Sequence, residues 1–168
     1  MSIQAPLQKL TTRTAQPNEL DSVFMMGFDA WSGGKLKKQY LAGCHSSPKY
    51  RKGKWYVLTD SEGSLISSLI TYRLSVHVAG IGSIATPPAL RNHGYASRLI
   101  SGVISILEVR ERVQDIFLFA DIAPRFYKPF GFVPLPKRHQ RYPDSVCMIR
   151  SSSIERIRDP YFRPPAYF

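Results

Sequence analysis

Residues 81–106 read I-G-S-I-A-T-P-P-A-L-R-N-H-G-Y-A-S-R-L-I-S-G-V-I-S-I: a β-type segment, a proline pair, a loop and the start of an amphipathic helix. The loop is Arg91 to Ala96, in which Gly94 has no side chain and Ala96 the smallest one. Behind it Leu99, Ile100, Val103, Ile104 and Leu107 recur at helical spacing. That pattern predicts a helix burying one face, with the unpaired N–H groups of its first turn pointed at the loop. Such an end attracts anions, because it carries partial positive charge and free donors, and a glycine there lets a diphosphate approach without meeting a Cβ. The same spacing also fits a glycine-containing connection that holds no ligand.

Immediately upstream, G-I-G-S-I-A at Gly80 to Ala85 matches the letters of a dinucleotide-binding fingerprint. That motif needs a helix opening among its glycines. Here Pro88 forces Pro87 out of the helical region, so no helix opens there, and a nicotinamide cofactor is rejected. Gly80 and Gly82 instead belong to a strand, from about His77 to Thr86, where they mark a bulge or a close backbone approach. Downstream, Ile116 to Ala120 is a continuous apolar run, expected as a central strand buried on both faces. Strand, helix and strand then make a right-handed parallel crossover.

Working outward, Leu7 to Ala15 reads as a first strand. A helix begins at Pro17, with Leu20, Val23, Phe24 and Phe28 on its apolar face, and Ser32, Gly33 and Gly34 break it. A second, basic helix is expected from Lys35 to about Ala42, followed by a loop containing Gly43, Pro48 and Gly53. Trp55 to Thr59 and Ser64 to about Leu74 form a hairpin around Asp60, Ser61, Glu62 and Gly63. Pro124 opens a short helix carrying Phe126 and Tyr127 and closing near Pro129 and Gly131. Phe132 to Leu135 is extended, though Pro134 and Pro136 argue against a central strand, and Ser145 to Arg150 is the last strand. The tail, 151–168, carries Tyr161, Phe162, Tyr167 and Phe168 and is expected to pack on the body or on another copy of the chain.

At 168 residues the sequence suits one domain, 1–168, with one core. No stretch approaches a membrane span, and a cytoplasmic location is expected. Cys44 and Cys147 are the only cysteines and are far apart, against a disulfide framework or a zinc site, so no metal is expected. The formal charge of +11 gathers in patches: Lys35, Lys37 and Lys38; Lys49, Arg51, Lys52 and Lys54; Lys137, Arg138 and Arg141. Such charge serves nucleic-acid binding, a field drawing in a phosphorylated cofactor or acidic acceptor, or simply a solvated surface; no nucleic-acid motif is present, and the solvated surface is favoured.

Two segments together resemble a known family. Gly80 to Ile100, with its arginine, two residues, glycine, one residue and alanine, looks like the acetyl-CoA-binding segment of the GNAT superfamily of N-acetyltransferases. Ala120 to Phe132, ending F-Y-K-P-F-G-F, resembles that family's second segment. The resemblance covers Gly80 to Phe132 and implies an α/β fold: a mixed, mostly antiparallel sheet of six or seven strands, with a splayed parallel pair in its middle and about four flanking helices. It implies acetyl-CoA as co-substrate, its pantetheine along the backbone of Ile84, Ala85 and Thr86, where Thr86 replaces the family's usual valine. The diphosphate would meet N–H groups of Arg91, Asn92, His93, Gly94, Tyr95 and Ala96, with the Ser97 hydroxyl an extra donor and Arg98 either a nearby charge or ordinary surface. The two early helices would border the pocket of an amine acceptor, small molecule or protein.

Tyr127 matches the tyrosine that protonates the departing thiolate in many members, a role suited to a phenol with pKa about 10. Phe126 and Tyr127 read alone would be core; the following Gly131 and Phe132 favour catalysis. The sequence departs from the family in having no carboxylate between His77 and Thr86. His77, Asp121 and Asp29 are the candidates for the base, and Asp121 is equally placed to cap a helix. A non-catalytic acyl-CoA sensor and a nucleic-acid module are the rival readings.

Overall fold

Period-two alternation sorts the strand residues of one sheet onto its two faces. The computed structural model describes residues 9–168. Its strands are β1 (Thr11–Thr14), β2 (Lys54–Thr59), β3 (Leu65–Ser75), β4 (Val78–Ala85), β5 (Asp115–Ala120), β6 (Val133–Pro134) and β7 (Val146–Ser151). They lie in the order β1-β2-β3-β4-β5-β7-β6, antiparallel throughout except for β4 and β5. This is the expected mixed sheet with one parallel pair in its middle. Of the first strand only Thr11–Thr14 forms, and Leu7 and Gln8 lie outside the described residues. The prolines at 134 and 136 confine β6 to two residues at the sheet edge, as a missing N–H requires.

The described α-helices are α1 (Leu20–Met25), α2 (Phe28–Trp31), α3 (Lys37–Ser46), α4 (Pro48–Lys52) and α5 (Tyr95–Ser105), the last continuing into a π-helical turn, Ile106–Arg110. The expected first helix is therefore two pieces, divided at Gly27. A Cβ on that glycine would come within 2.0 Å of the Trp31 indole, so the break seats Trp31 against bare backbone. The expected loop from Gly43 to Gly53 is largely helical: α3 runs through Gly43, and Pro48 opens α4, whose Tyr50 N–H is accepted by the Ser47 hydroxyl at 3.3 Å. Proline at the first turn and serine just before it are a helix-start signal that a reading of Pro48 as a breaker misses.

On one face Leu99, Ile100, Val103 and Leu107 pack with Tyr56, Leu58, Ile81, Leu118 and Met148. All nine are nearly fully buried, worth roughly 2 kcal/mol each as transferred side chains. On the other face Trp55, Val57, Ile70 and Tyr72 meet Val23, Phe24 and Tyr40 from α1 and α3. Further along that face Phe117, Cys147 and Ile149 are covered by the tail, through Ile157, Phe162 and Phe168. Phe168 ends over Gly80, where a Cβ would lie 2.5 Å from its ring. Gly80 is expected from the sequence to mark a bulge or a close backbone approach; what comes close to it is a side-chain ring of the chain's own tail.

Candidate active site

β4 and β5 pair from Val78 opposite Asp115 to Ile81 opposite Leu118 and no further. Beyond that point β4 stays on β3 as far as Ala85, and β5 stays on β7 as far as Ala120, so the sheet opens as a wedge. The cause lies in β4: Ser83 and Ile84 stand opposite the single residue Leu69, because Gly82 pairs Ile70 and Ala85 pairs Ser68. An extra residue bends its strand, and Ser83 takes a positive φ of 44° to provide the bend. The wedge opens into a cavity of about 580 Å³.

The foot of α5 borders one end of this cavity. Asn92 (φ 64°) and Gly94 (φ 77°) are both left-handed, which turns successive N–H groups the same way. Among the described residues the N–H groups of Asn92, His93, Gly94, Tyr95, Ala96 and Ser97 have no protein acceptor. The Arg91 N–H differs, being bonded to the Pro88 carbonyl at 3.3 Å. Arg91 instead braces the loop with its side chain: Nε donates to the Thr86 carbonyl at 2.9 Å, and the two terminal nitrogens grip Asp29 at 2.8 Å each. His93 is also tied inward, its Nδ1 2.7 Å from the Arg91 carbonyl and its ring stacked on Tyr95. Arg98 is exposed at the same helix end.

Ile84, Ala85 and Thr86 all line the wedge. The Ala85 carbonyl accepts from the Ser67 hydroxyl and the Thr86 carbonyl from Arg91, each at 2.9 Å, whereas the Ile84 carbonyl has no side-chain donor among the described residues. Thr86 in place of valine has a physical reason, since its hydroxyl pairs with buried Ser67 at 2.9 Å.

Tyr127 lines the cavity and is itself buried. A 3-10 turn, Pro124–Phe126, delivers it, and Gly131 (φ 80°) closes the following turn beneath Arg150, whose guanidinium a Cβ there would meet at 2.5 Å. Arg150 locks the segment by donating to the Phe130 carbonyl at 2.8 Å and pairing with Glu108 at 2.6 and 3.0 Å. Burial first, and the Asp121 charge second, push the Tyr127 phenol up to about 12, so it is fully protonated at neutral pH. Asp121 lies at the open end of β5 and lines the cavity. It caps no helix: the turn after it starts from Ala123 without a side-chain cap.

The other two base candidates are elsewhere. His77 is at the opposite end of β4, 3.3 Å from the Arg112 carbonyl, and Asp29 is held by Arg91.

The rest of the cavity lining is made of residues whose spacing gave no signal. Gly27, Ala30 and Trp31 come from the α1–α2 region, Lys49 and Tyr50 from α4, and Tyr167 and Phe168 from the tail. The Lys49 ammonium sits 5.0 Å over the Tyr167 ring, and the Tyr167 N–H donates to the Tyr142 hydroxyl at 2.9 Å. The resemblance sets the two early helices beside an acceptor pocket, and the tail stands out as a segment too apolar to be left in water.

A mixed sheet split at its parallel pair, with a helix foot of free amides beside the gap, is the arrangement that the resemblance to N-acetyltransferases implies. Residues 11–135 match the family model described as an acetyltransferase (GNAT) domain, and the chain belongs to that family. Among proteins of curated function none matches it by sequence. Solved structures share the fold at low identity. A GNAT family N-acetyltransferase of Escherichia coli, YhbS, in complex with CoA, is 16% identical with a TM-score of 0.69, covering 94% of this chain and 89% of that one. A spermidine N-acetyltransferase chimera from Vibrio cholerae SpeG and hSSAT is 14% identical, TM-score 0.65, covering 84% and 95%. N-acetylglutamate synthase of Neisseria gonorrhoeae, with coenzyme A and N-acetyl-glutamate, is 14% identical, TM-score 0.60, covering 85% of this chain and 35% of that one. Among the described residues no helix is long and apolar enough to cross a membrane.

Proposed function

We propose that the protein moves the acetyl group of acetyl-CoA to a primary amine by direct attack, with residues 1–168 acting as one catalytic domain. The observation that carries this is the wedge itself: one cavity lined by Ala96 at the foot of α5, where the main-chain amides are free, and by Tyr127 and Asp121. The residues fit the cofactor, since six consecutive unbonded N–H groups suit a diphosphate and the unpaired edge of β4 suits an extended amide-bearing arm. YhbS was solved with CoA, and the neighbours' names include spermidine and N-acetyl-glutamate, which supports an amine acceptor.

Acetyl-CoA supplies an activated acetyl thioester. Asp121, an exposed carboxylate at the mouth of β5, takes the proton that the attacking amine loses as its C–N bond forms. Tyr127, kept protonated by burial, gives its proton to the sulfur as the C–S bond breaks. Burial of Tyr127 limits the water near the departing sulfur, which would otherwise compete for the thioester.

The test is thiol release from acetyl-CoA with a panel of amines. Acceptor-dependent release is expected. Binding of CoA without such release would make the chain a sensor, and no CoA binding would remove the reading altogether.

A further inference from the structure

The acceptor end of the cavity carries two opposite charges that do not neutralise each other. Lys49 and Asp121 both line it and interact electrostatically, yet no ion pair within 4 Å joins them, and neither has another charged partner among the described residues. Arg91, the remaining charge on the lining, is already neutralised by Asp29. Around the two charges stand Trp31, Tyr50, Tyr167 and Phe168. Nearby, the Tyr72 hydroxyl is buried without a partner.

Resting on the acetyl-transfer reading, we infer that the acceptor is a zwitterionic amino carboxylate with an apolar or aromatic body. Its amine faces Asp121, its carboxylate faces Lys49, and its side chain lies among the aromatic rings. A half-buried ammonium costs free energy unless a counter-charge reaches it, and burial already lowers the Lys49 pKa while Asp121 works against that shift. A carboxylate on the ligand removes the cost. A polyamine fits poorly, because the lining offers one free carboxylate for several ammonium groups and adds a lysine that repels them. A simple apolar amine satisfies Asp121 and leaves Lys49 as it is.

The experiment compares matched acceptors: phenylalanine with phenethylamine, leucine with isopentylamine, and spermidine alongside. Each is read as kcat/KM for thiol release in the native chain and in Lys49→Met and Lys49→Arg, with CoA affinity and melting temperature measured to show an intact fold. Amine basicity differs within each pair but is common to all three proteins, so the ratio of ratios isolates Lys49. Native protein should prefer the carboxylated member, and Lys49→Met should collapse that preference by about ten- to a hundredfold, the worth of a charge-assisted hydrogen bond. Lys49→Arg should retain part of it.

Equal or better turnover of the decarboxylated amines or of spermidine would overturn the inference while leaving acetyl transfer standing. An unchanged preference in Lys49→Met would do the same. If acetyl-CoA binds but no amine raises thiol release, the acetyl-transfer reading fails. In that case calorimetry of phenylalanine and leucine on the CoA complex decides the pocket separately, and absence of binding overturns its assignment.

Discussion

At the foot of α5, beside the wedge, the free groups are main-chain amides from one six-residue run, Asn92 to Ser97. Under α2 and α4 the lining is side chains drawn from four separate places: Trp31, Lys49 with Tyr50, Asp121, and Tyr167 with Phe168. A site made of backbone constrains which residues can sit there, since a left-handed turn and a close approach exclude most side chains. It therefore leaves a spacing in the sequence. A site made of side chains from distant segments leaves none, because each member is an ordinary lysine, tyrosine or aspartate in its own neighbourhood. The two ends of one cavity thus differ in how they are built and in how they should fail.

The largest effect should come from the backbone end. Gly94→Val places a β-branched residue at φ 77° and a Cβ beside the amides, and should weaken CoA by about a hundredfold or more, the loss of several charge-assisted bonds. Asparagine tolerates the left-handed region, so Gly94→Asn should melt near the native temperature and still bind CoA poorly. Calorimetry with CoA reads both; native affinity in either would place the diphosphate elsewhere.

Next, Tyr127→Phe should lower kcat on the order of a hundredfold, with KM for acetyl-CoA within about twofold. Because the folded phenol titrates near 12 rather than about 10, activity in the native chain should show no falling limb from this group until pH passes well beyond 10. The same shift stabilises the fold below pH 10, and that contribution is lost as pH rises from 10 through 12. A limb near pH 8 that disappears in the variant would contradict the buried, protonated phenol.

Smaller again is Gly80→Ala, a change made in β4 whose consequence falls on the tail. The added methyl meets the Phe168 ring at 2.5 Å and displaces it, at a cost of about 1–3 kcal/mol in stability. KM for the acceptor should rise severalfold while CoA affinity holds. Weakened CoA with an unchanged acceptor KM would show the two ends to be coupled through the sheet.

The parts that could be read in advance follow the same division. Gly94 and Gly131 occupy left-handed positions, and their spacing to Arg91, Ala96, Tyr127 and Phe132 gave both family segments. The apolar run at 116–120 fixed the central strand because burial on both faces leaves no alternation to misread. By contrast the bulge at Ser83 was hidden behind Gly80 and Gly82, the residues expected to supply it, since serine rarely adopts a positive φ. Gly27 divides a helix whose apolar periodicity runs unbroken through Phe28, so the split does not show in the pattern. Lys49 was one basic residue in a patch of four, and only the tail packing beneath it sets it apart.

Asp29 is where the division is sharpest, because it sits on α2, beside Ala30 and Trp31 of the cavity wall, yet its partner belongs to the 91–96 loop. Its pKa is lowered first by the Arg91 hydrogen bonds, so it is a carboxylate already committed as a charge partner. Both side chains are about two-fifths exposed, and an exposed pair holds its geometry more than it adds stability. Asp29→Asn should therefore loosen Arg91 and, through its bond to the Thr86 carbonyl, the edge of β4, weakening CoA by about two- to fivefold. kcat at saturating acetyl-CoA should change little, and added salt should narrow the difference from the native chain. A fall in kcat of the size expected for Tyr127→Phe, with CoA binding intact, would instead make Asp29 the base, because a bracing residue acts on how the cofactor is held and a base acts on the step that follows.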